Sequence, residues 1–191
     1  MVSKVVVVLI GDVGVGKSHL FHRYVSKVPL LEPGYQTIGV DCGVQRESIQ
    51  AVGTVPVVLW DMPGLDRFRP IVYSYLRMSS IVLMVYDIGN RETFLSIQRS
   101  WAAEARVYSN DQTLFVLVGT KADQRHREVR SDDASDYANR EGFLFFEVSS
   151  TTGGSVDSLF LETVRQSVIC RELHKVAPSP CSRACVTCTI T

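Results

Sequence analysis

The sequence has no excess of charge of either sign. Its 191 residues include 20 lysines and arginines and 20 aspartates and glutamates. A balanced chain of this kind produces no broad electrostatic field that would attract nucleic acid or an anionic membrane surface. We therefore expect no nucleic-acid partner, and any contact with a membrane has to be local or covalent.

Long hydrophobic runs are absent as well. The apolar run ahead of Gly11 spans only the six residues Val5–Ile10, which is too short for the core of a secretion signal or for a helix that crosses a bilayer. The five cysteines are an odd number, and three of them fall within the last eleven positions. Such a set is typical of reduced thiols rather than of a disulfide framework, so we expect a cytoplasmic protein.

The apolar content is enough for one core. With 191 residues, 46% of them hydrophobic, the chain can bury a single α/β core and no more. From about residue 177 the composition changes to Pro, Ser, Thr and Cys without periodicity. We therefore predict one domain over residues 1–176 and a disordered tail over residues 177–191.

Short apolar stretches alternate with stretches of helical spacing. An edge strand is predicted over Ile38–Glu47, and helices are predicted around residues 94–108 and 156–168, where apolar residues recur three or four apart. This alternation predicts a mostly parallel sheet that is covered on both faces and binds its ligand at the carboxyl ends of the strands. The stretches that resemble buried strands are Val5–Ile10, Val55–Trp60, Ile81–Tyr86, Thr113–Val118 and Phe143–Val148.

Residues 11–18 read GDVGVGKS and follow directly on the first of these stretches. They match the pattern G-x-x-x-x-G-K-[ST], in which a glycine-rich loop curls so that its N–H groups point at phosphate oxygens. Lys17 adds a positive charge for the β- and γ-phosphates, and the Ser18 hydroxyl can ligate Mg²⁺. The motif predicts a nucleotide-binding protein.

Residues 60–64 read WDMPG and close the next buried stretch. The carboxylate of Asp61 can hold Mg²⁺ through water. The N–H of Gly64 can approach a γ-phosphate because no side chain projects from its Cα. The pair predicts that this segment faces the phosphate loop.

Residues 120–123 read TKAD and follow a third buried stretch. Asp123 is placed to accept two hydrogen bonds from guanine N1 and N2, a pattern that adenine cannot offer, and the stem of Lys121 can lie along the base. A backbone N–H around Ser150 could meet guanine O6. Guanine is therefore favoured over adenine.

With these motifs in this order, the sequence resembles the Ras superfamily of small GTPases, and within it the Rab family. The resemblance covers residues 4–175, and its Rab-like features are residues 37–41 (TIGVD), Trp60-Asp61 and the ungapped run from Arg67 to Asp87. It implies a three-layer α/β fold of the P-loop NTPase type, whose six-stranded, mostly parallel sheet has one antiparallel edge strand and helices on both faces. It also implies a monomeric switch that binds GTP or GDP with Mg²⁺, hydrolyses GTP and regulates vesicle trafficking through effectors.

The resemblance further implies roles for individual residues. Residues 29–42 (switch I) and 62–78 (switch II) would be ordered by GTP and recognised by exchange factors, GTPase-activating proteins and effectors. Mg²⁺ would be held by Ser18, Thr37 and Asp61. Hydrolysis would involve Lys17, Thr37, Gly64 and Leu65. The residues in contact with the nucleotide would be Gly11, Asp12, Val13, Gly14, Val15, Gly16, Lys17, Ser18, His19, Thr37, Asp61, Gly64, Thr120, Lys121, Asp123, Ser149, Ser150 and Thr151.

Two departures from the family bear on hydrolysis. Leu65 stands where members usually have a glutamine that orients the attacking water, and leucine has no donor or acceptor. Val13 stands where glycine or serine is usual, and its branched side chain would crowd the γ-phosphate region. Both changes predict slow hydrolysis unless a partner inserts its own catalytic side chains. The alternative is that Leu65 is tolerated because partners position the water.

Three other departures affect the base and the effectors. Thr120 replaces the usual asparagine, and this change should lower the affinity for the base only a little. Thr151 replaces a lysine that packs near the base, so we expect that affinity to be somewhat reduced. Cys42 replaces a phenylalanine that in Rabs joins Trp60 and an aromatic residue near Tyr75 in an effector-facing cluster. This change predicts either a different effector set or local repacking.

The tail carries the remaining signal. Rab-like proteins usually end in cysteines that receive geranylgeranyl chains, and Cys188 lies four residues from the terminus, so the end matches C-a-a-X in form. One lipid gives only marginal binding, and Cys185 or Cys181 could carry a second. We predict lipidation at Cys188 and Cys185 and cycling onto the cytosolic face of an endomembrane. Unmodified thiols are the alternative.

Two other functions stay open on the sequence. Val13 and Leu65 together suit a nucleotide-locked scaffold that does not cycle. A P-loop ATPase or kinase would share the phosphate loop and Asp61, but it gives no reason for the TKAD motif at residues 120–123.

Overall fold

The computed structural model of the chain describes residues 4–29 and 39–176. The strands are β1 Val5–Ile10, β2 Asp41–Ile49, β3 Gly53–Asp61, β4 Ile81–Asp87, β5 Leu114–Thr120 and β6 Leu144–Glu147. The helices are α1 Lys17–Ser26, α2 Arg69–Leu76, α3 Arg91–Ser96, α4 Ala102–Tyr108, α5 Ser131–Glu141 and α6 Val156–Val176. A 3₁₀ turn at Asp66–Phe68 precedes α2, and a π-helical turn at Ile97–Trp101 joins α3 to α4 without a break.

The six strands form one sheet in the order β2-β3-β1-β4-β5-β6. β2 pairs antiparallel with β3, and every other neighbouring pair is parallel. This confirms the predicted mostly parallel sheet with one antiparallel edge strand. β2 extends beyond the predicted end at Glu47, because its pairing with β3 continues to Ile49 opposite Gly53.

The central strand β1 is buried on both faces, as a continuous apolar run in a parallel sheet requires. Its odd-numbered residues belong to a core cluster that includes Leu20 of α1 and Phe160 of α6. Its even-numbered residues belong to a second cluster with Leu76 of α2 and Tyr137 of α5. Helices therefore cover both faces of the sheet, in the predicted three-layer arrangement.

The parallel strands bring the sequence motifs to one edge of the sheet. β1 ends before residues 11–18, β3 ends at Asp61, β5 ends at Thr120, and β6 ends just before Ser149. The carboxyl ends of parallel strands meet at a common edge, where ligands bind in open α/β sheets. Within the described ranges, no helix combines the length and the apolar character that a bilayer crossing demands.

Candidate functional site

The loop between β1 and α1 is built on glycines in the left-handed region. Gly11, Gly14 and Gly16 have φ values of 139°, 79° and 95°, which residues with a Cβ rarely adopt. A Cβ on Gly11 would also collide with the carbonyl oxygen of Val85 in β4. The loop thus curls into the N-terminus of α1, and a helix N-terminus favours an anion.

Lys17 is the buried cation of this loop. Its Nζ donates hydrogen bonds to the carbonyl oxygens of Gly11 at 2.9 Å and of Asp12 at 2.6 Å. Burial lowers the pKa of Lys17 to about 8, against the opposing effect of the Asp61 and Asp12 carboxylates. Burial disfavours the charged form of Lys17. A phosphate beside Nζ would stabilise that charged form, so the loop favours an anionic ligand.

The segment after β3 lies directly against the phosphate loop. Asp61 is fully buried at the strand end. A Cβ on Gly64 would stand 2.6 Å from the carbonyl carbon of Asp12 and 2.7 Å from the backbone nitrogen of Val13, so only glycine allows this approach. The Gly64 segment, the backbone of the phosphate loop, the Lys17 ammonium and the Asp61 carboxylate that acts on it therefore lie close together.

The residues for Mg²⁺ are divided between described and undescribed parts of the chain. Ser18 begins α1 next to Lys17, and Asp61 closes β3, whereas Thr37 lies outside the described residues. In the part of the chain that the structure describes, no group of three or more His, Cys, Asp or Glu residues could hold a metal ion. A hydroxyl and a carboxylate suit Mg²⁺, which keeps several waters and is completed by substrate phosphates.

Thr120 connects the end of β5 to the phosphate loop by a hydrogen bond. Its hydroxyl lies 2.5 Å from the carbonyl oxygen of Val15 and 3.0 Å from that of Tyr86. Lys121 has a left-handed backbone with φ 62°, and its Nζ forms an ion pair with Asp87 at 2.5 Å. Thr120 thus acts on the loop through the protein backbone, and Lys121 is held beside β4.

The loops after β5 and β6 meet at Asp123. The Oγ of Ser149 donates to Oδ1 of Asp123 at 2.5 Å, and the backbone N–H of Thr152 donates to the same Ser149 Oγ at 3.1 Å. Ser150 is half-buried and Thr151 is exposed in this turn. The arrangement places a carboxylate beside a backbone turn, and such a pair can accept from and donate to a base with adjacent donor and acceptor groups.

A model of the Ras family matches residues 6–169 of the chain. The chain belongs to the Ras family. It is therefore a GTP-binding switch in general terms. Members of this family bind guanine nucleotides, typically with Mg²⁺, have GTPase activity in general and work through regulators and effectors. The loop geometry and the buried Lys17 fit a nucleotide phosphate chain, and the carboxylate of Asp123 fits guanine.

Two side chains at the mouth of this Ras-family site are apolar and exposed. Val13 is 40% exposed and Leu65 is 37% exposed. They flank the close approach between Gly64 and the phosphate loop. Neither side chain can donate or accept a hydrogen bond at this position.

His19 is another member of the predicted contact set. It is half-buried in the first turn of α1. Burial lowers its pKa, and the charge of Lys121 adds to this effect.

The side-chain environment of Asp12 was not predicted for this Ras-family chain. Its Oδ1 accepts hydrogen bonds from Ser96 Oγ at 2.9 Å and from Trp101 Nε1 at 2.8 Å. In the sequence, Trp101 falls within the helical stretch of residues 94–108 and has the spacing of a core residue. Trp101 is 89 residues from Asp12, and no local spacing indicates such a pair.

Proposed function

We propose that the protein is a Rab-type switch that recruits vesicle-trafficking effectors while it is loaded with GTP. The observation that carries this proposal is an apolar surface where the edge of the sheet meets switch II. Trp60 at the end of β3 and Tyr75 in α2 are both half-buried, and their ring centroids are 4.8 Å apart. Exposed apolar patches of this kind mark protein interaction sites.

The edge strand extends this surface. Cys42 is exposed and lies directly opposite Trp60 in the antiparallel register, so the two side chains share one face of the sheet. Val44 follows on the same face and is 62% exposed. The small Cys42 side chain beside Trp60 supports a partner set that differs from that of relatives with phenylalanine.

We propose in addition that intrinsic GTP hydrolysis is slow. Leu65 offers no group to orient an attacking water. Val13 is 40% exposed, and we expect its branched side chain to crowd the γ-phosphate region. Transition-state contacts of this kind are worth about a hundred- to a thousandfold in rate. The GTP-loaded state would then persist until a partner supplies catalytic side chains.

A scaffold that never cycles is the second candidate, because the same two apolar side chains favour it. The nucleotide that co-purifies with the protein distinguishes the two. A slow switch releases GTP or GDP when Mg²⁺ is chelated and converts bound GTP to GDP over hours. Bound GTP that neither exchanges nor turns over would favour the locked scaffold.

We also propose that the protein is cytoplasmic and cycles onto the cytosolic face of an endomembrane through its tail. Cys185 and Cys188 lie outside the described residues, so the proposal rests on their position in the sequence. A fluorescent protein fused to the N-terminus should localise to internal membranes. Replacement of both cysteines by serine should distribute the fusion protein evenly through the cytoplasm. Intact mass should show the added lipid. Unmodified thiols or an unchanged distribution would contradict the proposal.

A further inference from the structure

A carboxylate in a phosphate loop is unfavourable for an anionic ligand. Asp12 lies between Gly11, whose carbonyl accepts from Lys17, and Val13, which borders Gly64. A nucleoside triphosphate brings several negative charges to this loop, so a freely rotating carboxylate here would repel it. The structure shows that the Asp12 side chain does not rotate freely.

Two donors on one helical segment hold this carboxylate. Ser96 Oγ and Trp101 Nε1 both donate to Oδ1 of Asp12, at 2.9 and 2.8 Å. Trp101 is only 1% exposed. Hydrogen bonds to a charged acceptor are stronger than neutral ones, so the pair fixes the direction of the carboxylate toward α3.

The π-helical turn makes this double contact possible. Ser96 and Trp101 are five residues apart, and in a regular α-helix such positions point about 140° away from each other. In a π turn the i→i+5 bonding brings such positions closer to one side of the helix. The turn Ile97–Trp101 therefore explains how both side chains reach one oxygen atom.

Switch II contacts the same tryptophan. The guanidinium of Arg69, at the start of α2, lies 4.0 Å from the centroid of the Trp101 ring, which is within the range of a cation–π interaction. Arg69 also forms an ion pair with Glu104, which accepts a hydrogen bond from Tyr73 of α2 at 3.2 Å. The position of α2 is thus tied to the side chain that holds Asp12.

We propose that Trp101 is a positioning residue that couples switch II to the preference of the phosphate loop for GTP over GDP. Its indole N–H keeps the Asp12 carboxylate away from the γ-phosphate. Arg69 makes the position of the indole depend on that of α2, so a movement of α2 weakens this restraint. The proposal rests on guanine-nucleotide binding by the chain, and titration of the unaltered protein tests that binding separately.

The first test is Trp101→Phe, which keeps an aromatic ring but removes the N–H. Affinity for a slowly hydrolysed GTP analogue should fall about tenfold, and affinity for GDP about twofold, because the γ-phosphate adds charge beside the carboxylate. Ser96→Ala removes the other donor with little loss of packing. It should also lower the affinity for the GTP analogue more than the affinity for GDP. An equal loss for both nucleotides in both variants would overturn the proposal.

A rescue separates repulsion from damaged packing. Asp12→Asn in the Trp101→Phe background removes the charge that the indole no longer restrains. The ratio of GTP-analogue to GDP affinity should return to within about twofold of the unaltered protein's. A ratio that stays low would show that Trp101 acts only through packing, and would overturn the proposal.

The link to switch II has its own readout. Trp60→Phe leaves Trp101 as the single tryptophan, since the chain has two. Its emission should change when GDP is exchanged for the GTP analogue, and Arg69→Met should abolish that change. Arg67→Met is the matched control, because Arg67 is exposed and lies over Phe68 instead. No emission change on exchange, or the same effect from both arginine variants, would overturn the coupling.

Discussion

Ser149 Oγ donates a 2.5 Å hydrogen bond to Asp123 Oδ1 across 26 residues of sequence. The bond joins the loop after β5 to the loop after β6, and the N–H of Thr152 donates to the same hydroxyl. The carboxylate that we predict to bind guanine is therefore oriented by a second loop. Its orientation is part of the fold and does not depend on the base.

Ser149→Ala should weaken GDP binding about tenfold, because a hydrogen bond to a charged acceptor is lost and the carboxylate can turn. The measurement is the dissociation rate of a fluorescent GDP. Ser131→Ala is the control, since this exposed serine begins α5. Equal dissociation rates for the two variants would show that Ser149 does not orient Asp123.

Thr120→Val should lower the free energy of unfolding by about 1–3 kcal/mol, because it keeps the shape of the side chain but removes a buried donor. The carbonyl oxygens of Val15 and Tyr86 lie within 3.0 Å of that hydroxyl. Urea denaturation of the GDP-bound protein measures the loss. Thr120→Ser keeps the hydroxyl and should lose less, and a valine variant as stable as the serine variant would refute this role.

Gly64→Ala should reduce affinity for a GTP analogue at least about tenfold, because the added Cβ forces switch II away from the phosphate loop. The close atoms belong to the backbone of Asp12 and Val13 and cannot move aside easily. GDP affinity should change little, since GDP has no γ-phosphate to be reached from switch II. Ser131→Ala is again the control, since this exposed serine begins α5. Unchanged affinity for the GTP analogue would show that this close approach is unimportant.

GDP affinity should be constant below about pH 8 and should fall by up to tenfold per pH unit above it. Lys17 of the nucleotide-free protein has a pKa of about 8, and phosphate raises it, so above that pH binding has to take up a proton. Titrations from about pH 7 to about pH 9 measure this dependence. Lys17→Arg stays charged over this range, so it is the control for loss of a proton from the guanine base of GDP. A decline of the same steepness in both proteins would exclude Lys17 as its cause.

The sheet and the site motifs could be predicted because their signals are local. Each buried strand is a short apolar run, and each motif is contiguous at the end of a strand. α5 was not predicted, since it buries only Ala134, Tyr137 and Ala138 and is otherwise polar. A helix with so narrow an apolar face resembles a charged loop in the sequence.

The contacts that shape the site could not be predicted, because they join distant positions. The Trp101 indole at helical spacing is typical of a core residue, and a period of 3.6 residues does not reveal the π turn that directs it to Asp12. The same holds for Thr120, whose two carbonyl partners lie 34 and 105 residues away. The spacing of residues in the sequence identifies the side chains that bind the ligand. It does not identify the distant side chains that orient them.

Single-turnover GTP hydrolysis tests the proposed slow switch most directly. Leu65→Gln should raise the rate of the isolated protein at least about tenfold, because the amide can orient the attacking water. Leu65→Met, which has similar volume but no amide, should leave the rate low. An unaltered protein that hydrolyses GTP as fast as a Rab-family protein with glutamine at this position, and is unchanged by Leu65→Gln, would contradict the proposal.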